Sequence, residues 1–176
     1  MNARQPEPRP RRRHGAGGFT LIEMMVTIAI AALLFAIGVP MFRNASLGAR
    51  LSAGANNLLA SVQLARSEAI KRNVPVRLCA SSDGATCAAA GGWEQGWIII
   101  DSDDNVIQRQ ESLPVGFKLT QGGGTLPLTF EPIGLGMGPA TFTVCRSDPV
   151  GSQERVLSVR AAGTAQVTST TAGVCP

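Results

Sequence analysis

GGFTLIEMMVTIAIAALLFAIGVP, residues Gly17 to Pro40, decides how the rest of the chain is read. From Phe19 to Val39 there are 21 residues, and the only strongly polar one is Glu23, with Thr20 and Thr27 as milder exceptions. A helix rises about 1.5 Å per residue, so this run spans roughly 30 Å, the hydrocarbon thickness of a bilayer. Arg4, Arg9, Arg11, Arg12 and Arg13 precede it and are expected to stay on the cytoplasmic side, leaving Met41 onward on the other. A secretory signal or signal anchor shares this basic start and apolar middle. Glu23 argues against so simple a role, because an acid within a membrane helix costs about 2.5–3.5 kcal/mol on insertion scales. No base lies within the run, so no partner is expected inside the same helix. A cut after Gly18 would create one: the freed α-amino group of Phe19 lies about one helical turn from Glu23 and could equally serve a neighbouring copy.

The remaining totals narrow the function. With 176 residues the chain suits one compact domain plus an appendage. Five of its 16 bases and one of its 12 acids precede Phe19, so a chain without the leader carries eleven of each. The formal charge of +4 therefore belongs to the leader rather than to a nucleic-acid surface. The single histidine, His14, sits in the same leader. That removes the usual general base, the usual triads and histidine-ligated zinc. Ser, Asp and Lys are present, but nothing arranges them as a catalytic set, so the chain reads as a non-enzyme with no cofactor.

Pro40 is expected to break or kink the helix. Beyond it, Leu51, Ala55, Leu58, Val62, Ala65 and Ala69 recur at spacings of four and three, the stripe of an amphipathic helix over a core. This second helix should run from Met41 to about Arg72, capped by Asn73 and stopped by Pro75. From Val74 the pattern becomes short apolar runs between Gly, Pro, Asp and Asn. Strands are expected at Val74–Ala80, Trp97–Ile100, Val106–Gln110, Phe117–Thr120, Leu128–Phe130, Ala140–Arg146, Arg155–Arg160 and Thr164–Thr168. Ala161-Ala162-Gly163 suits a hairpin between the last two. The fold class is α+β: after a cleaved leader over 1–18, one long N-terminal helix, with a transmembrane half over 19–39 and an amphipathic half over 40–73 continuing into the head, packs on a mostly antiparallel β-rich head over 74–176.

Gly-Phe-Thr-Leu-Ile-Glu at Gly18–Glu23, behind the basic leader, resembles the class III signal of type IV pilins and type II secretion pseudopilins. The resemblance implies cleavage by a prepilin peptidase between Gly18 and Phe19, N-methylation of Phe19, and a role in assembly for Glu23. It also implies an inner-membrane anchor with a periplasmic head, which later joins other major and minor pilins through a bundle of helices. Further along, Ala65-Arg66-Ser67-Glu68-Ala69, Gly96-Trp97, Asp101-Ser102-Asp103-Asp104-Asn105 and Phe130-Glu131-Pro132-Ile133-Gly134 are similar to the GspH/FimT family of minor pilins and pseudopilins. What this implies is a minor pilin that initiates or caps a type IV pilus and supports adhesion or motility. A minor pseudopilin of a type II secretion system is the alternative.

Some members of that family are DNA receptors for natural transformation, with an arginine-rich Gly-Arg-x-Arg stretch near the C-terminus. Here the corresponding strand reads Gly163-Thr164-Ala165-Gln166, without arginine. Arg146, Arg155 and Arg160 are the bases left to neutralise phosphate, so DNA binding is a lesser alternative. Asp101 to Asn105 has the D-x-D-x-N spacing of a calcium loop, but its sixth position is Val106 rather than Gly and its twelfth is Ser112 rather than Glu. A polar turn explains it more simply. Because related pseudopilins bind calcium, a weak site there stays open.

Cys79, Cys87, Cys145 and Cys175 all fall on the non-cytoplasmic side, where disulfides persist. Four cysteines allow three connectivities. Sequence proximity favours Cys79 with Cys87, leaving Cys145 with Cys175. Neither pair has C-x-x-C spacing, so a metal site is not expected.

Overall fold

The computed structural model describes residues 18–124, 126–136, 138–148, 150–171 and Cys175. Residues 1–17 of the leader, with its arginines and His14, lie outside them, as does Pro176. The chain divides after Arg43 into two compact units, and one helix, α1 (Leu21–Arg72), contributes to both.

Helix α1 does not break at Pro40, which sits inside it. Proline removes one backbone donor, here the one that would reach the carbonyl of Ala36. The flanking helix formers carry the element through that single loss, so the membrane and amphipathic halves expected from the sequence form one long helix, unbroken at Pro40. Residues 21–45 are exposed in the described chain, apart from half-buried Ala31. Thr27 Oγ donates to the carbonyl of Met24 at 2.9 Å, so this hydroxyl is satisfied within its own helix.

The second unit is a head built on residues 44–72 of α1. Leu51, Ala55, Leu58, Val62, Ala65 and Ala69 are fully buried, as their spacing requires. The helix ends where Asn73 turns left-handed, with φ of 55°, a conformation that asparagine tolerates better than most residues. Among the described residues eight strands follow: β1 (Val76–Ala80), β2 (Trp97–Ile100), β3 (Val106–Gln110), β4 (Phe117–Gln121), β5 (Leu128–Phe130), β6 (Ala140–Arg146), β7 (Glu154–Val159) and β8 (Ala165–Thr170). They form two antiparallel sheets, in the orders β3-β2-β1-β5 and β4-β6-β7-β8. A short 3-10 turn at Trp93–Gln95 precedes β2.

Alternation along the strands explains the packing. Val76, Leu78 and Ala80 of β1, with Trp97 and Ile99 of β2, join the α1 stripe in the main core. The second sheet adds Phe117, Leu119, Phe142, Val144, Leu157 and Val159. The intervening residues Cys79, Ile98 and Ile100 form a separate apolar cluster with Cys87 and Val106. Strand β2 is therefore buried on both faces, which is why it reads Trp-Ile-Ile-Ile without a polar break. Two indoles anchor the core by their N–H groups: Trp97 Nε1 donates to Ser61 Oγ at 2.9 Å, and Trp93 Nε1 to Gln121 Oε1 at 3.1 Å. Trp93 also meets Phe142 edge-on at 5.0 Å between ring centroids, a favoured aromatic geometry.

Candidate functional site

The segment around Glu23 is the first candidate. Thr20 stands just before the first residue of α1 and its carbonyl accepts from the N–H of Met24 at 3.2 Å. Its hydroxyl oxygen accepts from the N–H of Glu23 at 3.2 Å, while Glu23 Oε2 accepts from the N–H of Thr20 at 3.5 Å. This reciprocal pair is a capping box. It satisfies two of the amides that a helix start leaves without partners, and the helix dipole favours a negative charge at this end.

No base lies within the run, and the local hydrogen-bond partner of Glu23 is the backbone amide of Thr20, just before α1. The Thr-x-x-Glu spacing was the signal for it, and Thr20 belongs to the site beside Glu23. Gly18 and Phe19 are exposed next to it, and Phe19 retains 80% of its accessible surface. Helix α1 is long and apolar enough to cross a membrane, and none of its most apolar 18-residue window is buried.

Both cysteine pairs are bonded. Cys79 of β1 joins Cys87 across eight residues, and buried Cys145 of β6 joins Cys175 across 30. Inside the smaller ring, Asp83 acts as a hub. Its Oδ1 accepts from the N–H groups of Ala85 and Thr86, both at 2.8 Å, and from Ser81 Oγ at 2.9 Å. Its Oδ2 accepts from Thr86 Oγ1 at 2.7 Å. These bonds, the Thr86 amide foremost, hold the Asp83 carboxyl far below its ordinary range.

The acidic loop between β2 and β3 is also internally engaged. Asp101 Oδ1 accepts from the N–H groups of Asn105 at 2.9 Å and Asp103 at 3.0 Å, and Arg72 Nη1 lies 3.6 Å from Oδ2. The Asn105 amide is the main cause of the lowered Asp101 pKa. Asp104 turns left-handed, with φ of 62°, and pairs with Arg77. Asp101 thus works as the hub of a turn. Among the described residues no group of three or more His, Cys, Asp or Glu side chains is placed to hold a metal ion.

The three candidate DNA-contacting arginines do not converge. Arg155 is the second residue of β7, where its Nε donates to Ser52 Oγ at 3.1 Å and its Nη1 to the Glu154 carbonyl. Arg146 ends β6 near that same end of the sheet, since Val144 pairs with Arg155. Arg160 follows the far end of β7, roughly 17 Å from Arg155 at the usual rise per strand residue. Sequence separation does not disclose this, because it depends on register. Arg66 was not anticipated as a structural residue: its Nε donates to the Gly134 carbonyl at 2.9 Å. The carbonyl of the same glycine lies so close to Gly163 that any Cβ there would meet it at 2.6 Å.

A family model described as type II transport protein GspH matches residues 54–163, and a prokaryotic N-terminal methylation motif matches residues 13–39. The type IV minor pilin FimU of Pseudomonas aeruginosa is similar at 22% identity, over 71% of this chain and 97% of that one, with a TM-score of 0.53. The minor pseudopilin EpsH from the Type 2 Secretion System of Vibrio cholerae is similar at 14% identity, over 68% and 96%, with a TM-score of 0.51. No curated protein matches the sequence. At these identities the two structures speak for the α+β fold, one helix on antiparallel sheets.

Proposed function

The chain belongs to the GspH family of type II transport proteins, and from that premise we propose that it is a minor pilin which initiates or caps a type IV pilus. Prepilin peptidase cuts between Gly18 and Phe19, and the new terminus is N-methylated, consistent with the methylation motif over 13–39. Before assembly the apolar half of α1 holds the subunit in the inner membrane with the head in the periplasm. On assembly that surface exchanges lipid for the helices of other pilins. The chain is a structural subunit, on which the peptidase acts.

One observation carries the proposal: an exposed apolar helix segment whose only acid lies in its first turn. The capping box gives Glu23 a local partner in the lone subunit, so the helix start is formed before assembly. In the bundle, the carboxylate faces a neighbour's free amine at Phe19, a stronger partner than a neutral amide at 3.5 Å. The test is mass spectrometry of protein recovered from sheared surface filaments. A chain beginning at N-methylated Phe19 is expected. A chain that retains the arginine-rich leader, or one cut after residue 38 or later, overturns the reading.

A second reading is favoured by the family model itself, whose description is a transport protein: a minor pseudopilin of a type II secretion system. Deleting the gene separates the two. Loss of surface filaments with normal protein export supports the pilus, and the reverse supports the pseudopilus. DNA uptake ranks below both, because Arg146 and Arg155 lie at one end of the second sheet and Arg160 at the other. A gel shift with mature protein, tight at low salt and steeply weakened by added salt, would reverse that ranking.

A further inference from the structure

Asp83-Gly84 is the only place in the chain where an aspartate or asparagine precedes a glycine. Such a step is prone to rearrange without any catalyst. Glycine has no side chain to shield its amide nitrogen, and it gives the backbone the freedom that ring closure needs. The Gly84 nitrogen attacks Cγ of the Asp83 carboxyl group. A C–N bond forms, and the carboxyl hydroxyl leaves with the amide proton as water, giving a cyclic succinimide. Water then opens that ring. Opening at the main-chain carbonyl leaves isoaspartate, in which the chain runs through the former side-chain methylene. The water lost in the first step returns in the second, so the mass does not change.

The fold restrains both reactants. The hydroxyl of Ser81 accepts from the Gly84 N–H at 3.0 Å and donates to Asp83 Oδ1 at 2.9 Å, so the attacking nitrogen is engaged with Ser81. Ser81 itself is buried. The amides of Ala85 and Thr86 and the Thr86 hydroxyl hold the two carboxylate oxygens. They also keep the group ionised, the form from which water leaves least readily. The loop is closed by the Cys79–Cys87 bond and by the Ala88 N–H, which donates to the Ala80 carbonyl at 2.8 Å. The stem of Arg109 from β3 packs alongside, since a Cβ added at Gly84 would lie 3.4 Å from its Cδ. Asp83 is nevertheless exposed to solvent. Geometry, and not burial, protects the step.

We propose that Asp83-Gly84 is a redox-gated self-modification site: it is silent while Cys79 and Cys87 are bonded, and it isomerises to isoaspartate once a dithiol reductant opens that bond and the loop relaxes. Thiol–disulfide exchange leaves two cysteine thiols here and a disulfide on the reductant. Only the backbone bond from Ala88 then closes the loop, and local opening becomes cheap. Isomerisation adds a methylene to the main chain between Cys79 and Cys87 and moves the carboxylate. The hydrogen-bonded hub at Asp83 cannot then be rebuilt in the same form. A subunit that has once been reduced keeps the mark after reoxidation.

The test warms the full chain in detergent for weeks at neutral pH and follows isoaspartate by fragmentation mass spectrometry in the tryptic peptide from Leu78 to Arg109. A synthetic peptide of residues Ser81 to Cys87 gives the unrestrained rate. Oxidised protein is expected to stay unmodified at Asp83. The double variant Cys79→Ser with Cys87→Ser, which leaves Cys145–Cys175 in place, and the chain reduced with dithiothreitol and alkylated should both approach the rate of the peptide. Ser81→Ala, which keeps the ring, should isomerise several-fold faster than the oxidised native chain. Tryptophan emission, which follows buried Trp93 and Trp97, monitors the fold in each sample. Isomerisation of the oxidised chain at the rate of the peptide overturns the proposal, as does an opened chain as silent as the bonded one. An unchanged rate in Ser81→Ala overturns the geometric restraint. Isoaspartate found only in samples that have lost native emission marks general unfolding and overturns the gate.

Discussion

In the head, Leu51, Leu58, Val62 and Phe142 are wholly buried; in the apolar stretch of the same helix, Leu33, Leu34, Phe35 and Ile37 keep 67–74% of their surface. The residue types are alike and the local structure is alike. What differs is the company. The head supplies its own second layer, two sheets laid against one helical stripe, and so completes its core alone. The apolar stretch supplies none, so lipid or other helices must finish it. Stability of the head and competence of the helix should therefore respond to different substitutions.

The largest effect on the head should come from Trp97→Ala. It empties the centre of the core and leaves Ser61 Oγ without the indole donor, at a cost of about 3–5 kcal/mol in chemical denaturation. Leu33→Ala on the exposed stretch should leave that denaturation curve unchanged and instead reduce incorporation into filaments. If the two substitutions had equal effects on head stability, the division between regions would be lost. Next comes Cys145→Ser with Cys175→Ser, which opens a 30-residue loop and should cost about 3–4 kcal/mol by loop entropy. The measurement is the denaturation midpoint of the double variant against the oxidised protein.

Glu23 sharpens the comparison from the helix side. Glu23→Gln keeps an oxygen for the Thr20 amide but removes the charge, whereas Glu23→Ala removes both. Both variants should be processed and inserted normally. Both should incorporate poorly into fibres, with Ala the poorer, and neither should alter head stability. If Gln incorporated as well as the native residue, capping rather than charge would be the operative property.

The smallest effect is expected at Asp83. Its carboxyl is depressed in the fold, so the stability it contributes is fully present above its unfolded pKa of about 3.9 and fades as pH falls toward the native value. Asp83→Ala should lower the melting temperature modestly at neutral pH, with the gap to the native protein closing as pH falls, so that the acid limb of the profile flattens. An unchanged acid limb would remove Asp83 from the account.

Much of this architecture is legible in the sequence because it is local. The stripe from Leu51 to Ala69 and the short apolar runs need only their neighbours to be recognised. The expected strands agree with the observed ones to within two residues at each end. Sheet membership is a different matter. Strand β5 pairs back with β1, Val76 opposite Phe130, while β4 leaves its predecessor for β6. Nothing near either strand encodes that choice. The long helix is legible too; what Pro40 does not do is break it, because a single lost hydrogen bond weighs little against helix formers on both sides. The capping box is equally local, carried by the Thr-x-x-Glu spacing of Thr20 and Glu23.

The ring closed by Cys79 and Cys87 has one more consequence. To be cut, a surface loop must be drawn out flat into a protease cleft, several residues at a time. Here the covalent link holds the two ends 5.5 Å apart between Cα atoms, and Asp83 pulls the intervening amides inward. A secreted protease meeting this knuckle finds no extended stretch to grip. Nicking there would require a reductant to free the ends and acid to quiet the hub, two conditions seldom met together.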